Sequence, residues 1–254
     1  MSAGLSGRVD GPVSGATTGP AAQPAGWHGK LPTLGDFASR RLTPAFLDLW
    51  DAWLAAGLQR LRDRDPAGWL DAYLAAPSRR FLLMPGALPG NLGAQAWAGV
   101  LMPSVDRVGR YFPFTIVQAL QAPPACPLQM QSLWHWLGRL DELAADALHD
   151  DWGIAPLEAE LARIAGPDLG GSADPPSGPS APSAPPRSPG ALHTQALPEG
   201  GDIAQHIGSQ AQALWWAQSQ GLALWYTRTD NQPPSLRVSC GLPATAADLL
   251  GATI

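Results

Sequence analysis

The chain has 254 residues, 45% of them hydrophobic and 15% charged, with a formal net charge of -5. That is enough apolar material for one globular domain with long tails, and the negative balance argues against nucleic-acid binding driven by phosphate neutralisation. No window approaches the roughly 18–20 consecutive apolar residues of a membrane helix, so direct membrane insertion is not expected. The two cysteines, Cys126 and Cys240, lack a CxxC partner and any histidine at metal-ligand spacing, and read as free thiols in a reducing compartment. The first residues hold no apolar run of the kind a secretory leader needs, which places the expected location in the cytoplasm.

In chain order, residues 1–25 are mostly Gly, Ser, Thr, Ala and Pro, and are expected to form a disordered tail, because they offer too little apolar surface to offset ordering. Gly26–Lys30 reads as a short strand, and Trp27, beside His28 at its start, as a partly exposed contact residue. GKLP at Gly29–Pro32 is not a phosphate loop: it lacks the upstream glycine and the hydroxyl residue after Lys, and Pro32 removes a donor. Asp36 follows in LGDF, with Arg40 and Arg41 close behind. Thr43 and Pro44 then supply an N-cap and a favoured first helical residue. From there Phe46, Leu49, Trp50, Trp53, Gly57 and Leu61 recur at helical spacing, with Trp50 and Trp53 expected in the core.

A short helix over Pro66–Ala75 precedes a strand at Arg80–Met84, with Arg79 and Arg80 expected on a solvated edge. Ala96–Met102 and Phe112–Leu120 form a predicted hairpin with a long loop. That loop, within PSVDRVGRYFPF at Pro103–Phe114, crowds Asp106, Arg107 and Arg110 at a strand entrance in a charge-poor chain. Amphipathic helices follow at Leu128–His149, with His135 as a packing residue, and at Ile154–Ala165. Residues 166–202, built around PPSGPSAPSAPPRSPG, read as a disordered Pro/Ser/Gly-rich insert. Beyond it come a helix at Ile203–Gln218, strands at Gly221–Thr227 and Leu236–Cys240 joined by RTDNQPP, and a last helix capped near Thr245 and Asp248.

Residues 203–254 are too few to bury a core alone, so they are expected to complete the sheet of residues 26–165 as one domain. The fold class is α/β (α+β), with a mainly antiparallel or mixed sheet covered by helices. No GxSxG or HExxH occurs, the histidines are scattered, and no paired carboxylates stand out. No catalytic residue, metal site or cofactor is therefore expected. For Asp36, Arg40, Arg41, Asp106, Arg107 and Arg110 two readings stay open: an internal ion-pair set that pins two loops, or an exposed recognition patch. In the first, Asp36 meets Arg107 or Arg110.

Several long motifs taken together identify a family. They are GWHGKLPTLGDFASRRL at Gly26–Leu42, AWLAAGL, WLDAYLAAPSRRF, WAGVLMPSVDRVGRYFPF at Trp97–Phe114, and LALWYTRTDNQPPSLRVSCGLP at Leu222–Pro243. The chain thereby resembles the TagF family of type VI secretion-associated proteins. The resemblance implies a longin-like α/β/α sandwich and a cytoplasmic, non-enzymatic repressor of the secretion system that acts after translation. It also implies a partner, the forkhead-associated scaffold protein of that system. Some relatives are fused to a PP2C-type phosphatase, and the spaced aspartates of such a two-metal site are not found here. Two other functions stay open: a structural accessory component of the apparatus, and a hydrolase whose site assembles from distant residues.

Overall fold

The computed structural model describes residues 23–170, 213–229 and 232–251. The expected tail, apart from residues 23–25, lies outside them, as do most of the expected insert and the first part of the Ile203–Gln218 helix. Among these residues seven strands form one sheet: β1 (Gly26–Gly29), β2 (Ala38–Arg40), β3 (Arg79–Leu83), β4 (Trp97–Met102), β5 (Phe114–Ala119), β6 (Leu222–Thr229) and β7 (Gln232–Cys240). The helices are α1 (Pro44–Arg64), α2 (Trp69–Leu74), α3 (Pro127–His149), α4 (Ile154–Arg163), α5 (residues 213–219 as described) and α6 (Ala247–Leu250). The strand order is β2-β1-β5-β4-β3-β6-β7, and every neighbouring pair is antiparallel. The class is thus α/β with an antiparallel sheet. β6 pairs with β3, so the C-terminal part extends the sheet begun by the first part.

Both faces of the sheet are covered. On one, α1 starts where Thr43 Oγ1 accepts the Phe46 N–H and Pro44 occupies the first turn, and it stops before Pro66, which disfavours helical geometry in the preceding residue. Phe46, Trp50, Leu54, Leu58 and Leu61 lie on its buried stripe and meet Phe81, Leu83, Trp97, Leu101, Val117 and Trp225 of the sheet. Trp50 is central: its ring packs on Phe46, Phe81 and Trp225, and its Nε1–H donates to Thr115 Oγ1 at 3.0 Å. Trp53 is only half-buried, with Nε1–H donating to Pro243 O at 2.9 Å. On the other face α3 lays Leu133, Trp136, Leu137, Leu140 and Ala144 over Leu82, Ala98, Val100 and Ile116.

Arg79 and Arg80 do not line a solvated edge. β3 is interior, between β4 and β6, so helices cover both of its faces. Arg79 is buried, with Nε donating to Leu249 O and Nη1 to Thr227 Oγ1. Burial and the nearby charge of Arg237 lower its pKa to about 10. Arg80 pairs with Asp141 of α3 at 2.9 Å. His135, expected to pack, is exposed on α3 between Trp134 and buried Trp136. Sequence reading also passed over β2 and the 3-10 turn Gly90–Ala94, both too short for a periodic signal.

Two substitutions test this packing. Trp50→Ala is expected to cost about 3–5 kcal/mol in urea denaturation, and near-wild-type stability would place the α1 stripe outside the core. Gly57→Ala normally gains up to about 1 kcal/mol in a helix interior. Here the added methyl would lie 2.4 Å from Ala246 Cβ and 2.9 Å from Ala247 N of the α6 region. Those are not flexible side-chain ends, so overpacking at about 1–3 kcal/mol wins and the variant unfolds at lower urea.

Candidate functional site

The topology brings two loops to one end of the sheet. β1 and β4 each pair antiparallel with β5, so they run the same way and their exits, residues 30–37 and 103–113, emerge together. Gly29 makes this possible: its φ is 132°, and a Cβ there would lie 2.2 Å from Pro113 O. Only glycine permits both the conformation and the approach.

Beyond Gly29, the side chain of Lys30 turns inward and is 4% exposed. It is the only lysine of the chain. Its Nζ donates to Asp106 Oδ2 at 2.6 Å, and the Asp106 side chain is wholly buried. The same oxygen accepts from Arg110 Nε at 2.7 Å, while Oδ1 accepts the N–H groups of Val108 and Arg110 at 3.0 and 2.9 Å. Burial alone would raise the carboxyl pKa. The Lys30 and Arg110 cations and the two backbone donors outweigh it, and hold Asp106 well below the usual carboxylate range. The four donors also shape the turn, in which Asp106 N bonds Arg110 O and Gly109 N bonds Asp106 O, both at 3.0 Å.

Neighbouring groups tie this turn to the body. Ser104 Oγ donates to Lys30 O at 2.7 Å. The Tyr73 hydroxyl of α2 donates to Ser104 O at 3.0 Å and accepts the Ser104 N–H at 2.8 Å; burial pushes its pKa up. The two loops then join directly. Arg107 N–H donates to Leu34 O at 2.9 Å, and Arg110 Nη2 donates to Gly35 O. Thr33 Oγ1 donates to Trp152 O at 2.9 Å and fastens the first loop to the α3–α4 turn. The product is a two-loop platform with Phe37, Arg107, Val108 and Arg110 at its surface.

The residues singled out in sequence divide. Asp106, Arg107 and Arg110 do come together: Asp106 as the internal anchor, Arg107 and Arg110 exposed, so each of the two open readings describes a different residue. Asp36 does not join them. Its Oδ1 accepts the adjacent Phe37 N–H at 2.8 Å, and the acceptor for Arg110 is the Gly35 carbonyl one residue earlier. A short carboxylate next to its own backbone closes a local turn more readily than it reaches across.

Trp27 is not exposed but fully buried, because β1 lies inside the sheet between β2 and β5. Its Nε1–H donates to Glu158 of α4. Arg40 is exposed on β2, donating to Ser39 O at 2.8 Å. Arg41, at φ 58°, donates to Ala25 O and pairs with Glu158, whose pKa is lowered chiefly by that guanidinium. Those contacts hold a conformation that side chains rarely adopt.

Sequence reading missed Lys30, Phe37, Tyr73 and Ser104. The one available signal was a lone lysine in the apolar GKLP context, where burial demands a carboxylate partner. Nearby, His28 is buried with Nε2 3.2 Å from Asp51 Oδ1 and Nδ1 without a partner. Its ring packs between Phe37 and Phe112. Among the described residues no His, Cys, Asp and Glu group is arranged to hold a metal, and no helix is long and apolar enough to cross a membrane.

Because Asp106 has a lower pKa folded than unfolded, its stabilising effect is fully present above the ordinary carboxylate range of about 4 and is lost as pH falls below it. Thermal unfolding of wild type and Asp106→Asn is expected to show a constant gap in midpoint above about pH 5 that closes towards pH 2. A gap independent of pH would contradict the ion pair. Asp36→Ala, by contrast, is expected to change stability by less than about 0.5 kcal/mol.

Comparison with known proteins places these features in context. Residues 26–164 match the family described as "TagF N-terminal domain, Type VI secretion system-associated". The crystal structure of PA0076 from Pseudomonas aeruginosa PAO1 is similar, with 31% sequence identity and a TM-score of 0.63 over 90% of this chain and 94% of that one. No curated protein matches the chain.

Proposed function

The chain belongs to the TagF family of Type VI secretion system-associated proteins, and from that premise we propose that it is a cytoplasmic, non-enzymatic regulator. It represses assembly of the secretion machine after translation, by binding the forkhead-associated scaffold protein. The observation that carries this reading is the family match itself, which spans both platform loops within residues 26–164.

The chemistry of the platform supports binding over catalysis. Lys30 and Asp106 are consumed by each other and by the turn. The Tyr73 hydroxyl is occupied on both sides by Ser104. His28 faces Asp51, but aromatic rings flank the imidazole where a substrate would have to lie. What remains at the surface is a rigid set of apolar and cationic side chains, which suits a protein partner.

Overproduction in a cell that carries the secretion system is expected to stop effector export while effector synthesis continues, and deletion is expected to raise export. Calorimetric titration of the purified protein into the forkhead-associated scaffold is expected to give a saturable complex. No heat of binding, together with unchanged export on overproduction, would remove the regulator reading. Co-purification in fixed stoichiometry with the assembled machine would favour a structural component instead.

A further inference from the structure

We infer that the exposed face of the two-loop platform, centred on Phe37 and Val108 and flanked by Arg107 and Arg110, is the surface that docks the partner, and that it takes an acidic protein segment presenting an apolar side chain. This rests on the regulator reading and adds to it the contact residues and the chemistry of the bound segment.

The apolar centre is the first observation. Val108 is 62% exposed at the tip of the turn that Asp106 builds. The turn uses the Val108 N–H but nothing of its side chain, so an isopropyl group there has no structural employment. Phe37 is 46% exposed. Its ring is held by Lys30 Nζ, 4.2 Å from the centroid, by the stacked His28 ring at 5.8 Å and by the edge-on Phe112 ring at 4.9 Å between centroids. The ring is therefore fixed in place while nearly half exposed. Both residues flank the buried Lys30–Asp106 pair.

Charge is the second. Of the charges on the two loops, Lys30 and Asp106 are buried against each other, which leaves the guanidinium groups of Arg107 and Arg110 beside one carboxylate, Asp36, at the surface of a chain of net charge -5. The exposed face of the loops thus carries more positive than negative charge. An acidic segment is attracted to such a face, which speeds its encounter. The Arg107 guanidinium suits this task, since such a group bonds a carboxylate in a planar fork and desolvates at lower cost than an ammonium group, whereas Arg110 already spends Nε and Nη2 on Asp106 and Gly35.

Rigidity is the third. The Asp106 turn, the Arg107–Leu34 and Arg110–Gly35 bonds and the Tyr73–Ser104 pair fix the loops beforehand. A partner then loses little affinity to ordering this side of the interface. A central apolar anchor ringed by arginine is where binding energy concentrates.

The test uses Val108→Asp and Arg107→Glu, whose side chains lie outside the fold, with Leu236→Asp on exposed β7 as the control. Thermal unfolding comes first, and all three are expected to melt like wild type. Titration into the full-length forkhead-associated scaffold is then expected to weaken at least about tenfold for the two platform variants and to be unchanged for the control. Added salt is expected to weaken wild type more than Arg107→Glu.

If the scaffold binds wild type and the platform variants alike, the surface is overturned while the regulator reading stands. If the scaffold does not bind wild type, the proposed partner is wrong, and repression of export on overproduction becomes the readout. Folded platform variants that no longer repress then support the surface, and variants that repress fully overturn it. A wild type that neither binds nor represses overturns both.

Discussion

A single buried carboxylate organises the end of the sheet where the two loops meet. Asp106 lies at zero exposure with Lys30 and Arg110 on one oxygen and two backbone N–H groups on the other. Charges removed from water are tolerated only when their hydrogen-bonding capacity is filled, and four donors fill this one. Because Lys30 follows β1 and Asp106 follows β4, satisfying the carboxylate also sets the distance between two loops that are remote in sequence. Removing Asp106 leaves Lys30 buried and unpaired, and removing Lys30 takes one of four donors from a buried carboxylate, so the loops have one favourable arrangement rather than a family of them.

That arrangement depends on the sheet beneath. β5 separates β1 from β4, and its Thr115 receives the indole N–H of Trp50 while pairing with His28 on one side and Leu101 on the other. The aromatic stack of Phe46, Trp50, Phe81 and Trp225 therefore bears directly on the strands that feed the loops. Trp225 lies outside the family-matched residues 26–164, on β6. The C-terminal strands thus do more than lengthen the sheet: they supply one wall of the core beneath α1. On the same face of β3 as Phe81, the buried guanidinium of Arg79 donates to Leu249 O and Thr227 Oγ1 and ties α6 to the sheet, with Nη2 left without a partner among the described residues.

The relation between fold and function follows from what is spent and what is left. At the loop end Lys30, Asp106, Arg110 and the Tyr73 hydroxyl are used internally, on geometry. The side chains without internal employment are Val108 and the outer sides of Phe37 and Arg107. A surface built this way holds a fixed pattern of shape and charge, as the proposed docking requires.

Much of the architecture was legible in the residues alone. The Thr43–Pro44 start of α1, its apolar stripe and the β4–β5 hairpin rest on local pattern, since helix and strand periodicities and cap chemistry act over a few residues, while the joining of the C-terminal strands to one sheet follows from a segment too small to bury a core alone. The motifs likewise sufficed for the family. Tertiary structure alone decided which polar residues meet. Whether Asp36 or Gly35 faces Arg110 differs by one residue along a loop without periodicity. Trp27 is buried only because β2, a three-residue strand with no signal of its own, pairs outside it. Lys30 finds Asp106 across 76 positions. Such contacts arise from strand order and direction, which belong to the whole sheet and not to any segment of it.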